Sequence, residues 1–285
     1  MPLDAKRSRM AFQKLARELS RLAKRSAPES VHKFRTNGRR VEALLSEVVR
    51  QPSGNDQKLL KLLARLRKKA GRVRDLDVQI AALRSLKIPQ VNGHKSQFMD
   101  TLVRERLQRE KKLAKAFRWE KTGKLRRRLN RAAAEIDLPK NTDPLALLLR
   151  KLAQLGQDHA PLTEKTLHQY RIIGKRARYV AELADHDPEA RRLVEQLKHM
   201  QDVIGDWHDW LKLTQKAEDL LGGVRDSPLV AMLRNLTQAK FRQSLEAVAE
   251  IRAALARPGP RALSPAAAGL RKPSTKNDTR PAAAA

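Results

Sequence analysis

The sequence of 285 residues contains no cysteine, few aromatic residues and comparatively little acidic charge. Without cysteine, disulfide bonds and thiolate metal sites are excluded. Aromatic residues make up only 4% of the chain, so a core must consist mainly of Leu, Ala, Val and Ile, which favours helices. The sequence has no apolar run of about 18 residues, the length that would predict a transmembrane helix. Residues 1–12 also lack the apolar stretch of a secretory signal. We therefore expect a soluble, cytoplasmic protein that does not enter a membrane.

Basic charge is the dominant feature of what is present. The chain has 61 Lys and Arg residues against 31 Asp and Glu residues, a net charge of +30. A surface that is charged only for solubility carries a net charge of roughly 2–8 in a small domain, so the excess indicates a polyanionic partner. Residues 1–137 hold 37 of the basic and 14 of the acidic residues, which is +23, against +7 for residues 138–285. The partner is therefore expected to contact mainly the N-terminal half.

Apolar residues recur at helical spacing along most of the chain, and no segment shows the alternation of a strand. This pattern predicts an all-α protein with short loops and antiparallel helices. Turn residues divide it into helices near residues 10–22, 28–49, 57–86, 95–135, 145–155, 160–184, 188–219 and 228–256. The clearest boundary is 138–144, which separates an N-terminal half (1–137) from a C-terminal half (138–257). The Pro/Ala-rich basic tail, 258–285, is predicted to be disordered.

An internal repeat is the most informative motif. VHKFRTNGRR (31–40) and LHQYRIIGKR (167–176) both contain the pattern H-x-x-R-x-x-G-[RK]-R. On a helix, His32, Arg35 and Arg39 share a stripe opposite the apolar face. His168, Arg171, Lys175 and Arg178 form the matching stripe in the second copy. The stripes fit either a solvated outer face or an anion-binding surface, in which guanidinium groups pair with phosphate oxygens.

A second repeated segment follows each motif, AGRVRDLD (70–77) and then IGDWHDWL (204–211). It aligns Asp75 with Asp209, which are expected either to orient a nearby Arg or His by ion pairing or to be ordinary surface carboxylates. Asp206, His208 and Asp209 could ligate a cation, but their spacing matches no recognised metal motif and the surrounding positive charge opposes capture. We predict no metal and no cofactor.

Taken in order, VHKFRTNGRRVEALL, GRVRDLDV, LHQYRIIGKRARYVAEL and QDVIGDWHDW resemble the CHAD (conserved histidine α-helical domain) family over roughly residues 8–256. The resemblance implies two antiparallel four-helix bundles related by a pseudo-twofold axis, with a basic groove that binds inorganic polyphosphate; some members collect on polyphosphate granules. It also implies the ligand contacts, which are His32, Arg35, Arg39, Arg40, His168, Arg171, Lys175, Arg176 and Arg178, with Lys69, Arg72 and Arg74 as additions.

The sequence departs from the expected helical pattern at two glycines. Gly38 and Gly174 lie inside the motif helices, where Gly costs about 1 kcal/mol relative to Ala, and close helix packing could explain both. Some relatives carry a CYTH triphosphatase domain before the CHAD domain, with an E-x-E-x-K motif that this sequence lacks. We therefore expect a standalone binding module and not an enzyme.

Three other functions remain open. The net charge also suits nucleic acid, with the basic helix from Arg104 to Arg131 lying on phosphates, although aromatic residues for base stacking are few. A scaffold protein could use the polyanion as an anchor and the tail to contact a protein. A phosphohydrolase would need a carboxylate cluster for catalytic Mg²⁺, and none is evident.

Overall fold

The computed structural model describes residues 5–24, 27–49, 51–87, 93–117, 121–138, 143–157, 162–183, 188–221 and 227–256. Within these ranges the chain forms nine α-helices and no β-strand, which confirms the all-α prediction. The helices are α1 (Ala5–Lys24), α2 (Pro28–Ala43), α3 (Gly54–Ser85), α4 (His94–Phe117), α5 (Lys121–Glu135), α6 (Pro144–Gln157), α7 (Glu164–Ala181), α8 (Pro188–Leu221) and α9 (Pro228–Ala256). A π-helical turn, Leu44–Val48, continues α2.

Local capping signals define where the helices begin. Helices α2, α6, α8 and α9 each begin at a proline, which suits the first helical position because its missing N–H would have no partner there. Before α3, the Ser53 hydroxyl accepts from the Asp56 backbone N–H and the Asp56 carboxylate accepts from the Ser53 N–H, a capping box. Thr163 caps α7 by accepting from the Thr166 N–H.

The single basic helix predicted over residues 95–135 is wrong. Helix α4 ends at Phe117 and α5 begins at Lys121. The Thr122 hydroxyl donates to the Phe117 carbonyl at 2.7 Å, which satisfies one of the carbonyl groups left free at the end of α4. The Phe117 ring is buried edge-on against Phe34, with centroids 5.2 Å apart. Neither glycine nor proline stands between the two helices, so no turn residue announces this helix end.

The two halves of the chain share one hydrophobic core. Its largest cluster contains Leu15 and Phe34 from the first half together with Leu152 and Tyr170 from the second. All four side chains are fully buried. Burying such a side chain contributes about 1.5–3 kcal/mol to the stability of the fold. Within this region α2 packs against α7, which brings the helices of the two repeated motifs together.

A second apolar cluster joins the far ends of two helical hairpins, and we call it the tip cluster. Leu83 and Phe98 contribute from the α3–α4 hairpin, and Leu213 and Leu233 contribute from the α8–α9 hairpin, among others. The halves are thus in contact at two places, through α2 and α7 in the main core and through α3 and α8 at the tips.

The repeated sequence segments lie on helices that follow the same order in each half. Helices α2 and α3 carry the first copies of the two repeated segments, and α7 and α8 carry the second copies. Among the described residues, four helices follow residue 138, whereas five precede it. The pseudo-twofold relation and the boundaries of the halves stay predictions, and the tail at 258–285 lies outside the described residues. No helix in the described ranges has the length and apolar character needed to cross a membrane.

Candidate functional site

Cations from both repeated motifs line one cavity between α2, α3 and α7. The cavity has a volume of about 530 Å³. Arg39 reaches it from α2, and the second motif contributes four side chains from α7, which are His168, Arg171, Lys175 and Arg176. The packing of α2 against α7 therefore brings together charges that lie more than a hundred residues apart in the chain.

Lys175 has the most strongly altered charge in this cavity. Burial and then the nearby guanidinium groups of Arg171, Arg39 and Arg35 lower the pKa of Lys175 to about 6, and Asp209 opposes that change only in part. Its amine is therefore mainly neutral at pH 7 in the free protein. An anion bound beside it would favour the charged form and reverse the effect.

Arg39 and Arg171 are also largely removed from solvent, and burial lowers the pKa of each guanidinium. Tyr179 lies near Arg39 and partly opposes this lowering of its pKa. The Nε of Arg171 is buried and has no hydrogen-bond partner among the described residues. Leaving a buried donor unpaired costs about 1–3 kcal/mol, and more when the group is charged, so this position suits an anionic oxygen supplied by a ligand.

Arg35 links α2 to α3 beside these cations. Its Nη1 donates to the Gly71 carbonyl at 2.9 Å and to the Asp75 carboxylate at 3.0 Å. A Cβ on residue 71 would lie 3.4 Å from that nitrogen, which is ordinary van der Waals contact, so the guanidinium group packs directly over this glycine. The prediction that the repeated carboxylate orients a cation is confirmed for Asp75. In the second copy, Asp209 Oδ1 lies 3.7 Å from the Nδ1 of His208.

The two motif histidines lie beside the cations and are held neutral. Burial first, and then Arg74, Arg35 and Arg39, lower the pKa of His32. Burial first, and then Arg171 and its cationic neighbours, lower the pKa of His168. The His168 ring stacks against that of His208, with centroids 6.3 Å apart. At neutral pH both imidazoles can therefore donate one hydrogen bond without adding charge.

Two residues of the motifs are engaged with one carboxylate away from the cavity. The Nε of Arg40 donates to Glu182 at 2.7 Å, and the Nε of Arg178 lies 3.4 Å from the same residue. Arg40 instead lines a separate pocket with Arg7 and Lys14. Contact of Arg40 or Arg178 with a ligand stays a prediction.

Of the remaining candidates, Arg176 lines the cavity, whereas Lys69, Arg72 and Arg74 lie on α3 and are not part of the lining. Arg176 lines it but is 54% exposed and pairs with Glu47 at 3.1 Å. On α3, Lys69 and Arg72 are exposed and Arg74 is half-buried, close enough to His32 to lower the pKa of that imidazole. The predicted set therefore divides into residues that line the cavity and residues that lie outside its lining.

Comparison with known proteins assigns this arrangement to a family. A family model described as the CHAD domain matches residues 8–216. The chain belongs to the CHAD domain family. The crystal structure of the CHAD domain from the plant Ricinus communis is 18% identical in sequence, with a TM-score of 0.64 over 86% of this chain and 87% of that one. PptA from Streptomyces chartreusis is 16% identical, with a TM-score of 0.61 over 88% of this chain and 96% of that one.

These two structures have the same fold as the chain. No curated protein matches the sequence. The CHAD domain is a family associated with polyphosphate binding, so the cavity cations lie in a fold whose family has a known relation to that polyanion.

The repeat does not predict two further residues of the CHAD cavity. Tyr179, which lines the cavity together with Arg39, aligns with Ala43 in the first copy, so comparing the copies gives no signal. Arg67 lies on α3 outside both motifs, lines the cavity and pairs with Glu42 at 2.7 Å. The helical spacing of Leu63, Leu66 and Arg67 predicts that Arg67 lies next to the core. It does not predict that Arg67 lines the cavity.

The two glycines of the CHAD motifs have different surroundings. A Cβ on Gly174 would lie 2.5 Å from the Cε of Met200, so the close packing of α8 on α7 explains this glycine. At Gly38 no heavy atom of the described residues outside the local helix backbone lies within 4 Å of that position. Close packing therefore does not explain Gly38, and that expectation is wrong.

The acidic residues on α8 are not arranged as a metal site. Asp206 pairs with Lys240 at 2.9 Å, while His208 and Asp209 are neighbours in sequence with the 3.7 Å contact given above. Across the described part of the chain, no three His, Asp or Glu side chains come together in a group that could hold a metal ion.

Proposed function

We propose that this CHAD domain binds inorganic polyphosphate without cleaving it. The binding site is the cationic cleft, which we define as Arg35, Arg39, Arg171 and Lys175. One observation carries the proposal: four half-buried basic side chains lie close together, and the nearby carboxylates of Asp75 and Asp209 offset their charge only in part. Such a cluster is unfavourable in the free protein, and a dense linear anion relieves the repulsion.

The chemistry of the cleft favours bare phosphate over a nucleotide base. Guanidinium groups bind phosphate oxygens through paired hydrogen bonds, and an ammonium group adds a point charge. Single-stranded nucleic acid is normally held by aromatic side chains on which bases stack. Of the described residues that line the cavity, Tyr179 alone has a six-membered aromatic ring, and it is only 4% exposed. Its ring is therefore a poor stacking surface.

The carboxylates near the cleft support binding without hydrolysis. Asp75, Glu42 and Glu47 are paired with Arg35, Arg67 and Arg176 respectively. A phosphohydrolase that uses Mg²⁺ needs carboxylates free to hold the metal. Binding to polyphosphate would also carry the protein to granules of this polymer.

The test is a competition experiment at physiological salt. Labelled long-chain polyphosphate is bound to the wild type, to Arg39→Gln/Arg171→Gln/Lys175→Gln, and to a control, Arg9→Gln/Arg17→Gln/Lys24→Gln. The control removes the same nominal charge from exposed positions on α1. Loss of three charge-assisted hydrogen bonds predicts at least about 100-fold weaker binding for the cleft variant, with a much smaller effect in the control.

Single- and double-stranded nucleic acids serve as competitors, and product analysis after long incubation tests cleavage. Displacement of polyphosphate by an equal mass of nucleic acid, or equal losses in the cleft and control variants, would contradict the proposal. Release of orthophosphate by the wild type but not by the cleft variant would contradict its non-catalytic part.

A further inference from the structure

A row of basic side chains runs along the exposed face of α3, outside the cleft. The row, which we call the α3 stripe, consists of Lys58, Lys61, Arg65, Lys68 and Arg72, and all five residues are exposed. Their spacing alternates between three and four residues, so they fall within about 80° of one another around the helix. At a rise of 1.5 Å per residue the stripe is about 21 Å long.

Within the described residues, no ion pair balances the charge of the α3 stripe. None of its five side chains makes a hydrogen bond or ion pair with another described residue, and residues 57–74 contain no Asp or Glu. Like charges three and four residues apart destabilise a helix by about 0.2–0.5 kcal/mol per pair. On α4, by contrast, Arg106 pairs with Glu110 and Arg109 pairs with Glu105.

The α3 stripe borders the cleft. Leu60 and Ala64 line the cavity from the adjacent side of α3, and on a helical wheel Ala64 is about 40° from Lys68. At its C-terminal end the stripe reaches Arg72, one turn before Asp75, which pairs with Arg35. A linear anion that leaves the cleft therefore meets this row of cations.

The shape and composition of the stripe favour a linear polyanion over a protein surface. The large apolar side chains that are exposed in the described chain are Leu107, Ile172 and Leu220. None of them lies on α3, so the stripe has no apolar centre of the kind protein interfaces have. A single row with about one cation per helical turn instead matches an extended chain of phosphates.

The geometry points to the α3 stripe as a second binding segment for long-chain polyphosphate. It holds the part of the polymer that extends beyond the cleft, so it makes affinity depend on chain length. This inference rests on the proposed function of the cleft. It predicts that tripolyphosphate uses the cleft alone, whereas a long chain uses the cleft and the stripe together.

The test compares two probes, tripolyphosphate and long-chain polyphosphate, on the wild type and on Lys61→Gln/Arg65→Gln/Lys68→Gln. The α1 triple variant defined above is the matched control, since it also removes three exposed cations. We expect the stripe variant to bind the long chain about ten-fold more weakly and tripolyphosphate within two-fold of the wild type. The dependence of long-chain affinity on salt should fall in slope by about 2, from three lost contacts.

The outcomes separate this inference from the proposed function. If the cleft variant loses both probes but the stripe variant binds both normally, the inference is overturned and the cleft stands. Equal weakening by the stripe and control variants would also overturn it, because net charge alone would explain the loss. If the cleft variant keeps both probes, the proposed function fails. If the stripe variant lost affinity for duplex DNA but kept its affinity for polyphosphate, the inference would be overturned and the stripe would have a different partner.

The thermal stability of the free protein gives a second, independent test of the α3 stripe. Because the stripe is a row of like charges without compensation, its neutralisation should raise Tm at low salt, and the gain should shrink as salt is added. An unchanged Tm together with unchanged long-chain affinity would mean that the five side chains do not interact and do not act as one surface.

Discussion

Arg35 donates to Asp75 at 3.0 Å from the same nitrogen, Nη1, that donates to the Gly71 carbonyl at 2.9 Å. The carboxylate thus fixes the position of a cleft cation, but it also adds negative charge where a polyanion would bind. Asp75 is 62% exposed, so its field reaches the solvent in front of the cleft.

Asp75→Asn separates these two effects. The amide oxygen can still accept from Arg35 while the negative charge is removed, so polyphosphate affinity should rise about two- to five-fold. Asp219→Asn, an exposed change on α8, is the control for net charge. Dissociation constants measured at constant salt test this. Weaker binding by Asp75→Asn would mean that the charge is needed to hold Arg35 in place.

Lys175 predicts a pH dependence of binding. Its pKa is about 6 in the free protein, and a bound polyanion raises it. Binding above pH 6 therefore takes up a proton, and affinity should fall as the pH rises from 6 to 8. Calorimetry at pH 7.5 in buffers of different ionisation enthalpy should find proton uptake that is largely absent in Lys175→Arg. His32 and His168 are present in both proteins, so the difference reports Lys175. Equal uptake would contradict the prediction.

The same group links stability to pH. The unfolded chain keeps the Lys175 proton up to the ordinary pKa of 10.5, whereas the folded chain releases it near 6. Between these values the unfolded state binds more protons, so the stability of the free protein rises with pH. In Lys175→Met this contribution is absent, and the difference between the two proteins in free energy of unfolding should narrow as the pH rises above 6.

Arg39 and Arg40 are neighbours with opposite expected roles. Arg40→Met breaks the partly buried pair with Glu182 and should lower the free energy of unfolding by about 1–2 kcal/mol, with polyphosphate affinity nearly unchanged. Arg39→Met removes a buried cation from the cleft, so it should weaken binding without a comparable loss of stability. Urea denaturation and polyphosphate titration of the two variants decide this. A large loss of polyphosphate affinity in Arg40→Met would instead mean that Arg40 contacts the ligand.

The motif glycines give a matched pair of stability predictions. Gly38→Ala meets open space and should stabilise the protein by about 0.5–1 kcal/mol. Gly174→Ala places a methyl group against the buried end of Met200, and this overpacking, about 1–3 kcal/mol, should outweigh the gain in helix propensity. Met200→Leu removes the clashing atom, so the double variant should recover stability in denaturant titrations. Equal effects of the two glycine substitutions would exclude the contact as the cause.

Local patterns were sufficient for most of the fold. Pro228 and the apolar period that follows it predict α9 over the range that the structure gives. The end of α4 at Phe117 could not be predicted, because neither glycine nor proline stands between α4 and α5 to mark a break.

The same limit applies to the site. The repeat identifies Arg39, Arg171 and Lys175 because they occupy one stripe in each copy. Whether a motif cation is free to bind a ligand depends on partners that are distant in sequence. Glu182, which pairs with Arg40, lies 142 residues further along the chain. The α3 stripe was hidden for another reason: four of its five cations lie outside the repeated segments, Arg72 being the exception, and burial is needed to see that all five are exposed.

The tip cluster affects how quickly a ligand can be captured. It holds α3 near α8 at the far end of the hairpins, while the main core holds α2 against α7. With both contacts in place, the cations are already assembled before a ligand arrives, so no slow closure of one half onto the other precedes association. Encounter with a polyanion is then governed by long-range attraction, which gives association rates close to the diffusion limit that fall steeply as salt is added.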